Sequence, residues 1–260
     1  MKQLKEVWAY RELLRTLVAK DIRGRYKGSV LGILWSFINP LLQVVVYWLV
    51  FPFLMRNTGE GDYLLYLVTG LIPWSYFQMT LSSSVSCIRA NAGIVKKVWF
   101  PRVILPLAQV ISGLISFFIS CLIIVLFLLL RGAGLSWWIL QVPFIALLES
   151  VLIFGPALIL CSIDVYMQDT ESITGFLLNL LMYGTPVIYQ LDLLSGAGLL
   201  GRLVAFNPLT RFAEAYRAAF LYQQPADWPV LFAWTLAGCL LVSLGLWIFN
   251  RLQKGFAEKL

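Results

Sequence analysis

Residues 103–130 read VILPLAQVISGLISFFISCLIIVLFLLL, with no Asp, Glu, Lys or Arg anywhere in the run. As a helix it is long enough to cross the ~30 Å hydrocarbon core of a bilayer. Comparable runs lie at about 30–54, 64–86, 137–163, 172–190 and 228–250, so six transmembrane helices are expected. Composition agrees: 60% of residues are hydrophobic and 13% charged, against roughly 45–50% and about 25% in soluble chains. In lipid the backbone must bond internally, which leaves helices or closed barrels, and the period-two alternation of a barrel is missing. The expected class is an all-α membrane protein. Asn39-Pro40, Gly70, Pro73 and Gly155-Pro156 fall inside these runs and read either as packed kinks or as hinges.

Charge gives the orientation. The net charge is +7, which in a soluble chain would suggest nucleic acid but here reflects positive residues gathered in cytoplasmic segments. Lys2, Lys5, Arg11, Arg15, Lys20, Arg23, Arg25 and Lys27 precede the first span. Arg89, Lys96, Lys97 and Arg102 follow the second, and Arg251, Lys254 and Lys259 follow the last. The other side receives Arg56, Arg131, Arg202, Arg211 and Arg217. Both termini are thus expected in the cytoplasm. The loop 164–172 dissents, with Asp164, Asp169 and Glu171 and no basic residue, but acids weigh little in orientation. The first apolar run follows a long charged segment and is too long for a cleavable signal.

Within residues 1–28, positions 4–22 form an imperfect amphipathic helix. Leu4, Val7, Trp8, Leu14, Leu17, Val18 and Ile22 share an arc that Arg11 and Arg15 interrupt. It reads as an interfacial helix or as a basic surface helix packed on a protein partner.

Catalytic chemistry finds little here. The chain has no histidine, so no Ser–His–Asp or Cys–His arrangement exists, and no run fits GxxxxGK[ST]; GRYKGS (24–29) has the wrong spacing. Cys87, Cys121, Cys161 and Cys239 are scattered and read as small buried hydrophobes. Glu149 is the one clear ionisable group inside a span. It either faces a water-filled path or bonds a polar neighbour such as Gln43, Gln109 or Asn179. A single acid without a basic partner makes a poor proton relay, which disfavours a stand-alone secondary transporter or flippase.

Two segments fit neither lipid nor open water. Residues 191–229 carry Arg211, Glu214 and Arg217 and so cannot span, yet they are rich in Leu, Phe and Ala. Gly196, Gly198, Gly201 and Pro208 divide them into two short helices in or dipping into the outer interface, a lid or simply a packed loop. Residues 91–102, NAGIVKKVWFPR, with the preceding SCIRA, read as a short surface helix ended by Pro101. Such a piece either docks into a cytoplasmic protein or only fixes topology.

The phrases RGRYKGSVLGILWSFINPLL (23–42), LVTGLIPWSYF (67–77), NAGIVKKVWFPRVILPL (91–107), TPVIYQLDLL (185–194), NPLTRFAEAYR (207–217) and FNRLQKGFAEKL (249–260) together resemble the membrane subunit of ABC exporters of polysaccharides. These are the ABC-2 type permeases that move O-antigen, capsule and teichoic acid chains. The resemblance runs in order over nearly the whole chain. It implies a six-helix permease working as a homodimer in the bacterial inner membrane, with two copies of a separate ATP-binding subunit. ATP and Mg would be bound by that partner and no cofactor by this chain, which is no enzyme by itself. The cargo would be a polysaccharide, O-antigen foremost, on undecaprenyl diphosphate. An exporter of teichoic acid, drugs or small lipids is the related alternative.

In residue terms, the resemblance makes 88–101 a coupling helix, with Arg89, Asn91, Ile94, Val95, Lys96, Lys97, Phe100 and Arg102 toward the ATPase. It makes 191–226 a gate region, with Asn207, Pro208, Arg211, Glu214 and Arg217, and the glycine-rich 195–201 departs from some relatives there. Aromatic rings take sugar C–H faces, so Tyr47, Trp74, Tyr76 and Phe77, with Glu149, are candidate conduit residues. Trp35 and Trp48 share these spans, while Trp137 and Trp138 suit the interfacial belt. Arg23, Arg25 and Lys27 are candidates for the carrier's diphosphate, because guanidinium forks match phosphate oxygens. Attraction to anionic lipid explains the same charges.

Overall fold

Helices and the turns between them make up everything seen in the computed structural model, which describes residues 2–26, 35–54, 63–130, 136–194 and 198–260 with Gly132, Gly134 and Gly196. In chain order they are α1 (Lys2–Ala9), α2 (Arg11–Tyr26), α3 (Trp35–Leu54), α4 (Tyr63–Val85), α5 (Cys87–Ala90), α6 (Ala92–Val95), α7 (Ile104–Leu130), α8 (Val142–Asp164) and α9 (Asp169–Tyr183). α10 (Leu199–Phe206), α11 (Pro208–Phe220), α12 (Trp228–Leu252) and α13 (Phe256–Lys259) complete the set. Short 3₁₀ turns occupy Trp137–Gln141, Leu191–Leu194 and Gln253–Gly255.

Among the described residues, three segments are long and apolar enough to cross a bilayer: Ile104–Leu130, Trp137–Asp164 and Trp228–Gly255. They coincide with expected spans to within a few residues. α4 has 23 residues, but Thr69, Gln78, Thr80 and Ser82 to Ser84 dilute its apolar character. The first expected span is described from Trp35 onward as α3; its residues 30–34 lie outside the described residues. The fifth differs most. Expected over 172–190, the helix is 15 residues long and stops at Tyr183, about 22 Å of rise against the ~30 Å core. Pro186 explains the stop, because it disfavours helical geometry at Thr185 and lacks an N–H. Residues 184–190 continue as irregular turns.

The N-terminal segment is two helices broken at Tyr10 rather than one. α2 packs on α7, burying Leu17 and Val18, while Val7, Leu14 and Ile22 are partly covered and Trp8 is exposed.

Two apolar cores result. One lies among α4, α7, α8 and α11, including Leu71, Phe117, Ile153, Phe212 and Tyr216. The other gathers α2, α5, α7 and the ends of α8 and α12 around Ile88, Leu158, Phe249 and Phe256. It lies at the end of the molecule that carries both termini. α8 and α12 approach closely, for a steric reason: Gly155 and Gly245 meet there, and a Cβ at either would fall 2.8 Å from an atom of the opposing helix. Cys87, Cys121 and Cys161 are buried as expected, and burial pushes the Cys87 thiol up. Cys239 departs from the expectation, being exposed on α12.

Candidate functional site

The basic segment after α4 is built as a rooted projection. Its local structure is two single turns, α5 and α6, instead of the one helix expected. Asn91 breaks them: its side-chain amide donates to the Cys87 carbonyl (2.8 Å), a local bond that competes with helix continuation. Its side-chain oxygen accepts from Lys20 Nζ of α2 (2.9 Å). Ile88, Val95 and Phe100 are buried in the terminal core. Between them Lys96 and Lys97 are exposed, with Val98 at 56% and Trp99 at 75% exposure. The Trp99 ring meets that of Tyr10 edge-on, at 6.3 Å between centroids. Of the expected coupling residues, Val95 (3% exposed) and Phe100 therefore serve as roots and offer no outward contact, a correction; Val98 and Trp99 supply the apolar surface instead. Ile94 is half-buried. Arg102 turns away, donating to the Gln253 carbonyl and lying over the Phe256 ring at 5.7 Å. A cavity of about 310 Å³ separates Trp99 to Val103 from Glu6, Val7 and the Asn250–Lys254 corner.

Arg89 ties this projection to two other helices. Its Nε and Nη2 donate to the Asp164 carboxylate at 2.6 and 3.1 Å, and Nη2 also donates to Glu171 at 2.8 Å. Asp164 is 1% exposed and Glu171 57%. The bond to Asp164, chiefly, holds the guanidinium above its already high ordinary value, so it stays charged. The acidic loop that sat oddly with the charge bias is the counterpart of Arg89. Sequence reasoning named the acids and the arginine but did not pair them.

At the other end of the bundle, α11 is inserted between α4 and α8. Asn207 caps it, its side-chain oxygen accepting from Leu209 N (3.0 Å), with Pro208 at the first helical position. Around it, side chains capture the free carbonyls of 184–190, as irregular backbone within a membrane protein requires. Asn207 Nδ2 donates to Gly184 O (3.0 Å), and Arg217 Nη2 to Pro186 O (2.7 Å) and Val187 O (3.1 Å). Tyr63 donates to Ile188 O (3.0 Å) and Tyr66 to Tyr189 O (2.9 Å). Arg217 is fully buried. It also donates to Glu214 (2.8 Å) and lies 3.6 Å from the Tyr66 ring centroid. Gly70 opens the slot, since a Cβ there would stand 2.5 Å from Arg217 Nη2. Arg211 is half-buried. The expected two short helices are present, but α11 is part of the core; α10 alone buries no residue.

The same insertion covers most of the residues expected to line the conduit. Trp74, Tyr76, Phe77 and Glu149 are buried in the chain's own core beneath α11, beside a space of about 10 Å³. Tyr47 is half-buried. Glu149 accepts from Tyr216 of α11 (2.7 Å), not from Gln43, Gln109 or Asn179. Gln43 and Asn179 are exposed, and Gln109 donates to Asp21. Of the basic cluster before α3, Arg23 is exposed, while the Arg25 side chain and Lys27 lie outside the described residues.

The architecture defines a polytopic helical membrane protein with a rooted projection at its terminal end and a short inserted helix opposite. Residues 12–221 match the ABC-2 type transporter pattern, and the chain belongs to that family. It is 32% identical over 248 residues to an O-antigen export system permease protein RfbA of Klebsiella pneumoniae, covering 95% of this chain and 94% of that one. A Myxococcus xanthus protein of the same name is 29% identical over the full length of both. The polysialic acid transport protein KpsM of Escherichia coli is 23% identical, over 80% of this chain and 81% of its own.

Proposed function

We propose that the chain is the membrane subunit of an ATP-driven polysaccharide exporter, O-antigen being the foremost cargo. Two copies form the path, and each receives one ATP-binding subunit that holds ATP and Mg. The observation that carries this reading is the Lys96–Trp99 projection: a basic and apolar surface on buried roots, in a chain with no phosphate-binding motif of its own. A rigid projection of this kind suits seating in a groove of a soluble partner and passing on its movement. The relatives' names and full-length coverage support the cargo class.

In this reading α3, α4, α7, α8, α9 with its following turns, and α12 span the inner membrane, with both termini cytoplasmic. Arg23, Arg25 and Lys27 meet the diphosphate of an undecaprenyl carrier where the first span enters the inner leaflet. α10 and α11, with Asn207, Pro208, Arg211, Glu214 and Arg217, form the outer gate.

The test is to look for a P-loop protein in the adjacent reading frames, co-express it with the chain, purify the complex and follow ATP-dependent export of lipid-linked polysaccharide. Joint purification and nucleotide-dependent export are expected. Export by this chain alone, driven by an ion gradient, overturns the proposal.

A further inference from the structure

We infer that α9 is a strut carrying movement of the basic projection to the inserted helix α11, with Arg89 as the positioning residue at its entry. The inference rests on the proposal that a nucleotide-driven partner moves residues 88–101.

α9 is held at its ends and only lightly between them. At its start, Glu171 accepts from Arg89 Nη2 at 2.8 Å. Along its length only Thr170, Thr174 and Leu178 are buried, while Ile173, Phe176, Leu177 and Leu180 are exposed. Just past its end, the carbonyls of Gly184, Pro186 and Val187 are bonded by Asn207 and Arg217. These two residues belong to the cap and the last turn of α11. A helix resists axial compression because each turn is braced by its hydrogen bonds, so displacement at Glu171 arrives at Gly184 about 20 Å away.

The two carboxylates on Arg89 are unequal, and that gives the strut its direction. Asp164 ends α8, which is locked to α12 through backbone contact at Gly155 and Gly245. Its buried, two-pronged bond fixes Arg89 to the end of that helix pair. Glu171 is exposed and sits on the loosely packed helix. A tilt of the projection about the Asp164 anchor therefore moves Glu171 and with it α9. Two further charges lie near this junction: Asp169 in the same first turn of α9, and Lys20, which is engaged with Asn91.

The experiment uses the permease co-expressed with its ATP-binding subunit and reads joint purification, ATP hydrolysis by the complex and polysaccharide export. Glu171→Gln, at an exposed position, is expected to leave purification and hydrolysis at wild-type levels and lower export about tenfold, the scale of one charged hydrogen bond. Arg89→Lys, which keeps a cation between the carboxylates, is expected to export more than Arg89→Gln. Wild-type export by Glu171→Gln, a parallel fall of hydrolysis and export, or equal export by the two Arg89 variants overturns the strut. Failure of the wild-type chain to purify with the ATP-binding subunit overturns the proposed function instead, and is seen before any variant is made.

Discussion

Tyr216 donates a 2.7 Å hydrogen bond to Glu149, joining the inserted helix α11 to the middle of α8. The pair is sealed by aromatic contact, Phe117 lying 5.4 Å from the Tyr216 ring and 5.1 Å from that of Tyr76. Tyr76 in turn shares a 2.7 Å hydrogen bond with Ser150. Tyr216→Phe removes the donor and leaves the carboxyl oxygen buried without it, which is expected to cost about 1–3 kcal/mol. Glu149→Gln keeps an acceptor of the same shape and is expected to cost less. Combining Tyr216→Phe with Glu149→Met removes both polar groups, so the double variant should be more stable than Tyr216→Phe alone. Thermal unfolding of the purified protein in detergent orders the three; a double variant at or below the single one contradicts the pairing.

Arg217 and Gly70 form a second dependency across the same helix. Gly70→Ala places a Cβ 2.5 Å from Arg217 Nη2 and 3.1 Å from Val187 O. The guanidinium must shift from the carbonyls it binds, at an expected cost of about 1–3 kcal/mol. Arg217→Met empties the slot and strands two buried carbonyls, so its cost should be larger, about 2–5 kcal/mol. Protease accessibility of the 184–206 stretch should rise in the same order. Equal resistance in both variants and the wild type would show that Arg217 does not hold these turns.

The long spans were legible because an uncharged run has one outcome in lipid: 103–130 and 228–250 correspond to Ile104–Leu130 and Trp228–Leu252. Glycine and proline punctuation likewise announced two short helices before the last span. What sequence reasoning missed were pairings made at a distance. Glu149 finds Tyr216 sixty-seven residues on, in a helix whose charges mark it as extramembrane. Arg217 is nonetheless buried, because its charge is absorbed by Glu214, two carbonyls and an aromatic face. Asp164 and Glu171 looked like an exception to the charge bias because Arg89 lies on a different segment, seventy-five residues before Asp164. Alternation and hydropathy report which face is apolar, and neither reports which distant residue covers it.

The close approach of α8 and α12 gives a third prediction. At Gly155 a Cβ would lie 2.8 Å from Leu241 Cβ and 2.9 Å from backbone atoms, which cannot rotate aside. Gly155→Ala is therefore expected to destabilise by about 1–3 kcal/mol through helix separation. Gly175, inside α9, has nothing within 4 Å of a Cβ. There the same substitution gains helix propensity and should stabilise by roughly 0.5–1 kcal/mol. Unfolding temperatures moving the same way for both would show that the α8–α12 contact is looser than described.

Val95 and Trp99 stand four residues apart in the projection yet should respond to substitution in opposite ways. Val95 is 3% exposed in the terminal core. Val95→Asp buries an unpaired charge, so loss of folded protein is expected, and its failure to bind a partner would carry no information about docking. Trp99 is 75% exposed, with one edge-on ring contact. Trp99→Ala should leave the unfolding temperature of the free permease unchanged. If Trp99 is the aromatic anchor of an interface, its truncation costs 2 kcal/mol or more, a loss of about thirtyfold in affinity for the ATP-binding subunit. Titrating that subunit onto wild-type and Trp99→Ala permease in nanodiscs measures the difference. Lys96→Gln with Lys97→Gln should act chiefly on the association rate and its salt dependence, because exposed charges steer encounter more than they hold the complex. Undiminished affinity in Trp99→Ala would move the docking surface away from this projection, toward the cavity walled by Glu6, Arg102 and Lys254.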